Sequence, residues 1–118
     1  MTTVLVVDDH ETFRSFARAL LATEGFEVVG ESPDGASALA AATELRPELV
    51  LLDVQLPDLS GFEVSRRLVD AGVPSVVILV SSREASDYDG AIGESGARGF
   101  ISKAELSGQA LRALLEPP

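Results

Sequence analysis

Three carboxylates, a hydroxyl and an ammonium stand at the ends of apolar runs in this sequence. Val4-Leu5-Val6-Val7 leads into Asp8-Asp9, and Leu49-Val50-Leu51-Leu52 into Asp53. Val76-Val77-Ile78-Leu79-Val80 leads into Ser81-Ser82, and Gly99-Phe100-Ile101-Ser102 into Lys103. Adjacent acidic residues at a strand end suit a hard divalent cation: Mg2+ takes oxygen ligands, commonly one or two carboxylates with waters and phosphate oxygens. Asp9 taken alone would equally serve as a cap for the helix that follows. Asp53 shifts that balance. Converging carboxylates repel one another, and a metal ion or Lys103 relieves the repulsion. A carboxylate held against such an ion can also attack a phosphoryl group and form an acyl phosphate. Lys103 would then bind one phosphoryl oxygen and the Ser81 hydroxyl another. Singly, Ser81 reads as a strand-end turn residue and Lys103 as a solvated lysine. Their coincidence at the same kind of position carries the reading. His10 is the one histidine, which leaves no histidine cluster for a transition metal; it reads as a partly exposed residue at a helix start.

The elements that must position these groups alternate strand and helix. Short apolar runs bounded by polar residues read as buried parallel strands. Between them, Phe13, Phe16, Ala17, Leu20 and Leu21 share one helical face, stopped at Gly25. Phe26 to Gly30 reads as a second strand. A helix from Asp34-Gly35 carries Ala38, Leu39, Ala42 and Leu45 and ends before Pro47. The loop from Leu56 to Gly61 offers Ser60 as the cap of a helix with Phe62, Val64, Leu68 and Val69. A weaker helix lies around Tyr88, Ala91 and Ile92, loosened by Gly90, Gly93 and Gly96. Ala97 to Ile101 is a short fifth strand. A last helix holds Leu106, Ala110, Leu111, Leu114 and Leu115, with Pro117-Pro118 ending the chain. Strands interleaved with helices imply an α/β fold with a parallel sheet covered on both faces, and in such sheets the ligand site lies beyond the carboxyl ends of the strands.

Composition narrows the function classes. The 118 residues suit a single domain spanning 1–118, with 46% hydrophobic and 24% charged residues. There is no cysteine, hence neither a disulfide framework nor a thiolate metal site. No apolar run approaches the ~18–20 residues that span a bilayer, and no basic leader precedes the first strand, so the expectation is a cytoplasmic protein without a membrane partner. A formal net charge of -10 argues against direct nucleic-acid binding, which needs Lys and Arg for phosphate contacts.

The residues Val6-Val7-Asp8-Asp9-His10, the run from Leu51 through Asp53 to Gly61, Val80-Ser81-Ser82 and the run from Gly96 to Lys103 resemble the receiver domain of bacterial response regulators in two-component signalling. The resemblance spans essentially the whole chain. It implies a flavodoxin-like, doubly wound sheet of five parallel strands in the order 2-1-3-4-5, with five helices. It also implies that Asp53 accepts a phosphoryl group from a sensor histidine kinase. Asp9, Asp53 and the backbone carbonyl of Gln55 would ligate Mg2+ directly, with Asp8 acting through water. Ser81 and Lys103 would contact the phosphoryl group, and Ser81 and Phe100 would be the switch residues of a partner-binding surface built from the fourth helix onward. On this reading the chain is a signalling switch that catalyses only its own phosphorylation and slow autodephosphorylation, rather than an enzyme. Its output is an unknown protein or a domain absent from this chain, and a phosphorylation-dependent homodimer is a further partner.

Some positions depart from the family pattern. Lys103 is followed by Ala104-Glu105-Leu106 where proline is usual, a form similar to receivers of the NarL/FixJ kind. Those commonly carry a DNA-binding domain, which these residues lack, so the chain reads as a stand-alone receiver or an excised domain. Phe100 stands where tyrosine is common, so that ring cannot hydrogen-bond. Gln55 and Arg83 flank the phosphoryl position and are expected to tune dephosphorylation, Gln55 by orienting water and Arg83 by pairing with phosphate. Competing readings fit less well. A Mg2+-dependent aspartyl phosphohydrolase needs a second aspartate where Gln55 stands. A nucleotide-binding domain needs a glycine-rich loop where Asp8-Asp9-His10-Glu11 would repel phosphate. A docking pseudo-receiver would not need the full set of Asp8, Asp9, Asp53, Ser81 and Lys103.

Overall fold

A computed structural model describes residues 1–116; the Pro117-Pro118 stop lies outside the described residues. Strands β1 (Thr2–Val7), β2 (Phe26–Ser32), β3 (Leu49–Asp53), β4 (Val76–Ser81) and β5 (Gly99–Ser102) alternate with helices α1 (Glu11–Thr23), α2 (Gly35–Leu45), α3 (Gly61–Asp70), α4 (Ala91–Glu94) and α5 (Gly108–Leu115). All strand pairs are parallel, in the order β2-β1-β3-β4-β5 that the resemblance implies. Among the described residues no helix is long and apolar enough to cross a membrane.

Strand alternation splits the core into two layers. Val4, Val6, Leu49, Leu51, Ile78, Val80 and Ile101 pack with Ala17 and Leu21 of α1 and Leu111 of α5. Leu5, Val7, Val50, Leu52, Val77 and Leu79 pack with Ala38 and Ala42 of α2 and Val64 and Leu68 of α3. Each fully buried Val, Leu or Ile contributes roughly 1.5–3 kcal/mol, so the three central strands β1, β3 and β4 are pinned from both sides. Asp34, Ser60 and Ser107 cap α2, α3 and α5 by accepting the backbone N–H groups of Ser37, Glu63 and Ala110, each cap contributing about 1 kcal/mol.

Register then delivers the strand ends together. Val7 pairs with Leu52, Asp53 with Val80, and Ser81 with Ser102. Asp8, Asp53, Ser81 and Lys103 therefore all fall within a residue step of one another at the carboxyl edge. By alternation, Asp8 and Asp53 continue the α1/α5 layer after Val6 and Leu51. Ser81 continues the opposite layer after Leu79.

Several boundaries differ from those the sequence predicts. β2 does not end at Gly30 but runs on to Ser32, because a bulge between Val4 and Leu5 lets Glu31 and Ser32 pair with Val6 and Val7. The fifth strand starts at Gly99 rather than Ala97 and runs to Ser102; the chain reaches β4 only where the Arg98 N–H bonds the Val77 carbonyl, at 2.7 Å. The weak helix is one 3-10 turn at Ala85–Tyr88 followed by the single turn of α4, broken by left-handed Asp89 (φ 42°) and Gly90 (φ 90°). Leu106 is buried but precedes α5, after a second 3-10 turn at Lys103–Glu105. Phe16 and Val69 lie on predicted apolar faces yet are 52% and 51% exposed, since the sheet covers a narrower stripe than the sequence offers.

Candidate functional site

The Asp8 side chain is fully buried and Asp53 is only 4% exposed. A buried carboxylate needs partners for every oxygen. Asp8 Oδ1 accepts the His10 N–H at 2.8 Å, and Oδ2 accepts Lys103 Nζ at 2.6 Å. The Asp8 carbonyl accepts Arg14 Nη1 at 2.7 Å, which fixes the start of α1 against the end of β1. Asp53 Oδ1 accepts the Gln55 N–H at 3.2 Å, and Oδ2 faces Lys103 Nζ at 3.5 Å. Lys103 thus joins two carboxylates that come from different strands. Its ammonium also lies 4.3 Å from the centroid of the Phe13 ring, an attraction of roughly 0.5–2 kcal/mol.

Electrostatics separates Asp53 from ordinary carboxylates. Burial pushes its pKa up to about 6, the negative charge of Asp8 adds to the rise, and Lys103 and the Gln55 N–H oppose it. The group is still mostly ionised at neutral pH while remaining basic for a carboxylate, as a nucleophile should be.

The backbone after Asp53 is equally constrained. The Val54 N–H bonds the Val80 carbonyl at 3.0 Å, and the Gly61 N–H bonds the Val54 carbonyl at 2.7 Å. Gln55 bridges Ser60. Asp58 accepts the N–H groups of Gly35 (2.7 Å) and Ala36 (2.9 Å) at the start of α2. These bonds hold the Asp58 carboxyl below the usual carboxylate range and tie the loop back to the start of α2.

Of the sequence-predicted residues, Asp8, Asp53 and Lys103 meet directly. Asp9 and His10 complete an acidic cluster with Asp8 and Asp53 whose nearest ligand atoms lie within 4.8 Å of one another. His10 is the N-cap of α1, 72% exposed at its side chain, with Nδ1 3.0 Å from Asp9 Oδ1 and 3.3 Å from Asp8 Oδ1. Ser81 reaches the edge, but its Oγ bonds the Tyr88 hydroxyl at 2.5 Å and accepts the Arg83 N–H at 3.0 Å. Arg83 therefore contributes its backbone there. Phe100 is half-buried against Tyr88, ring centroids 5.7 Å apart. Sequence reasoning missed Phe13, Arg14, Asp58 and Tyr88 as site-shaping residues. Asp58 in a turn-rich loop and the chain's single tyrosine were visible, but their partners lie 22 to 23 and 7 residues away.

Known proteins resemble this chain along nearly its whole length. Residues 4–116 match the response regulator receiver domain model. The chain is 41% identical over 102 residues to BvgA of Bordetella pertussis, covering 86% of this chain and 49% of BvgA. It is 36% identical over 104 residues to the response regulator GacA of Pseudomonas aeruginosa, covering 87% of this chain and 49% of GacA. The chain thus spans about half the length of these curated relatives. The signal receiver domain of NarL from Mycobacterium tuberculosis superposes with a TM-score of 0.86 at 30% identity, covering 98% of both chains. The response regulator domain of Thermotoga maritima CheB superposes at 0.84 and 28% identity, covering 100% of this chain and 99% of that one. A match that runs nearly end to end in both sequence and fold settles the family: this chain belongs to the response regulator receiver domains, the phosphorylation-based switches of two-component signalling.

Proposed function

We propose that Asp53 accepts a phosphoryl group from the phosphohistidine of a sensor histidine kinase. The observation that carries this is the pairing of a buried carboxylate, basic for its type, with Lys103 Nζ at 3.5 Å on the open edge of the sheet. An Asp53 carboxylate oxygen attacks phosphorus as the phosphorus–nitrogen bond of the donor breaks. The product is an acyl phosphate, and the departing imidazole takes up a proton from solvent. The Gln55 N–H holds Asp53 Oδ1 in place. Lys103 places positive charge beside the incoming phosphoryl oxygens, and Ser81 donates its hydroxyl to one of them.

The donor set fits Mg2+. Carboxylate oxygens of Asp8, Asp9 and Asp53 gather within 4.8 Å, and hard oxygens are the ligands this ion takes. Asp9, Asp53 and the Gln55 carbonyl would hold it directly, with Asp8 acting through water; bound there, it offsets negative charge on the carboxylates and the phosphoryl group. Phosphorylation replaces the single charge of the Asp53 carboxylate with the roughly 1.5–2 negative charges and the three acceptor oxygens of a phosphoryl group, which draws Ser81 and then Phe100 inward and reshapes the face of α4, β5 and α5. That face is the proposed contact for an output partner, a further domain or a second copy of the chain. Gln55 and Arg83 are proposed to set the dephosphorylation rate, and the whole cycle to run in the cytoplasm. A net charge of -10 makes this domain itself a poor nucleic-acid ligand.

The test is intact mass after incubation with acetyl phosphate and Mg2+, beside Asp53→Ala. Gain of one phosphoryl group by the natural chain alone supports the assignment. Equal gain by Asp53→Ala would move the acceptor elsewhere.

A further inference from the structure

We infer that Tyr88 is a positioning residue for Ser81: its hydroxyl holds Ser81 in the unphosphorylated state and competes with the phosphoryl group for it. This rests on the reading of Asp53 as acceptor. A serine hydroxyl has one proton and two lone pairs. In the structure both of its described bonds run toward the 3-10 turn, to the Tyr88 hydroxyl at 2.5 Å and from the Arg83 N–H at 3.0 Å. Alternation along β4 turns Ser81 to the α2/α3 layer, whereas Asp53 follows Leu51 on the other. To donate to a phosphoryl oxygen on Asp53, the Ser81 Oγ must swing away from Tyr88. Phosphate recruitment and the Tyr88 bond are therefore alternatives.

The surroundings give that competition a mechanical outlet. The Tyr88 ring is held edge-on by Phe62, centroids 5.2 Å apart, and packs on Phe100 at 5.7 Å. Phe100 has no hydroxyl, so the polar link from Ser81 to the α4 region passes through Tyr88. The next two residues, Asp89 and Gly90, are both left-handed (φ 42° and 90°) and lead straight into the single turn of α4. A left-handed non-glycine residue is strained. Releasing Tyr88 frees the segment that contains this strain, and ties the position of α4 to the bonding state of Ser81.

The test uses beryllium fluoride with Mg2+ as the phosphoryl stand-in, on the full chain. Tyr88→Phe keeps the ring and deletes only the competing hydroxyl. It should bind beryllium fluoride about 2- to 10-fold more tightly, the fold-change expected for one neutral hydrogen bond. In a Ser81→Ala background the same substitution should change nothing. Tyr88 is the only tyrosine and there is no tryptophan, so 3-fluorotyrosine labelling places a single 19F reporter at the latch. Its resonance should move on saturation with beryllium fluoride in the natural chain and stay in place in Ser81→Ala. Equal affinities for the natural chain and Tyr88→Phe, or an unmoved resonance at saturation, overturn the role of Tyr88 while leaving Asp53 as acceptor. A natural chain that binds no beryllium fluoride overturns the acceptor reading, and this inference with it.

Discussion

Substituting Gly61 by alanine tests whether the Asp53 loop is positioned by steric contact. Gly61 is the first residue of α3, and its N–H bonds the Val54 carbonyl at 2.7 Å. A Cβ built there would lie 2.3 Å from the Asp53 carbonyl oxygen, 2.9 Å from Val54 Cα and 3.0 Å from the Asp53 carbonyl carbon. All three are backbone atoms, so no flexible side chain can yield. Relief to an ordinary contact requires a relative shift on the order of 1 Å between the end of β3 and the start of α3. Overpacking of this kind costs roughly 1–3 kcal/mol. For a domain of this size that lowers the melting temperature by roughly 3–15 °C. A displacement of ~1 Å at a reacting group can cost ~100-fold in rate. The assay is the rate of phosphoryl gain from acetyl phosphate with Mg2+, followed by intact mass, alongside thermal melting. Gly93→Ala is the control, since a Cβ at Gly93 meets no atom within 4 Å. It sits in α4, where alanine should raise stability by roughly 0.5–1 kcal/mol. A Gly61→Ala variant with unchanged melting and a rate within twofold of the natural chain would refute the steric argument.

Further expectations concern charge. Asp53 has a folded pKa raised from 3.8 to about 6, so its ionisation weakens the fold as pH rises between those values. The contribution is on the order of 3 kcal/mol when fully expressed. Without Mg2+, Asp53→Asn should therefore melt above the natural chain at pH 7.5, with the gap closing toward pH 4; a pH-independent difference would contradict the assignment. Lys103→Ala leaves Asp8 and Asp53 facing each other without their shared cation, and urea denaturation should show a loss of about 3 kcal/mol at pH 7.5. Asp58→Ala removes the acceptor for the Gly35 and Ala36 N–H groups, so hydrogen exchange at those two amides should speed up. Because the Asp58 pKa is lowered in the fold, its contribution is present above the ordinary carboxylate range and fades as pH falls through the folded value; equal exchange in both chains at neutral pH would remove this role.

The strand-end chemistry was legible because it is local. An apolar run long enough to be a buried strand, ended by Asp8, Asp53, Ser81 or Lys103, announces both the element and the edge at which the group emerges. The cap at Ser60 was readable for the same reason, since it acts on an N–H three residues ahead. The strand order was not contained in the periodicity: it came through the family resemblance, because nothing in an apolar run says which neighbour it pairs with.

Other features depended on contacts that no window of sequence holds. Lys103 meets Asp8 across 95 residues and Asp53 across 50, and the basicity of Asp53 comes from its burial and from Asp8 beside it, with Lys103 opposing. Phe13 packs on the core as its stripe predicts and also sits under the Lys103 ammonium, while Phe16 on the same stripe faces solvent. Tyr88 read as part of a weak helix, but left-handed backbone at Asp89 and Gly90 broke that helix and left the tyrosine free to bond Ser81. Residue types and their spacing determined which groups reach the carboxyl edge of the sheet. Only the packed layers decided which of them touch, because a side chain's charge state and bonding partner follow from the burial and neighbours that long-range folding creates.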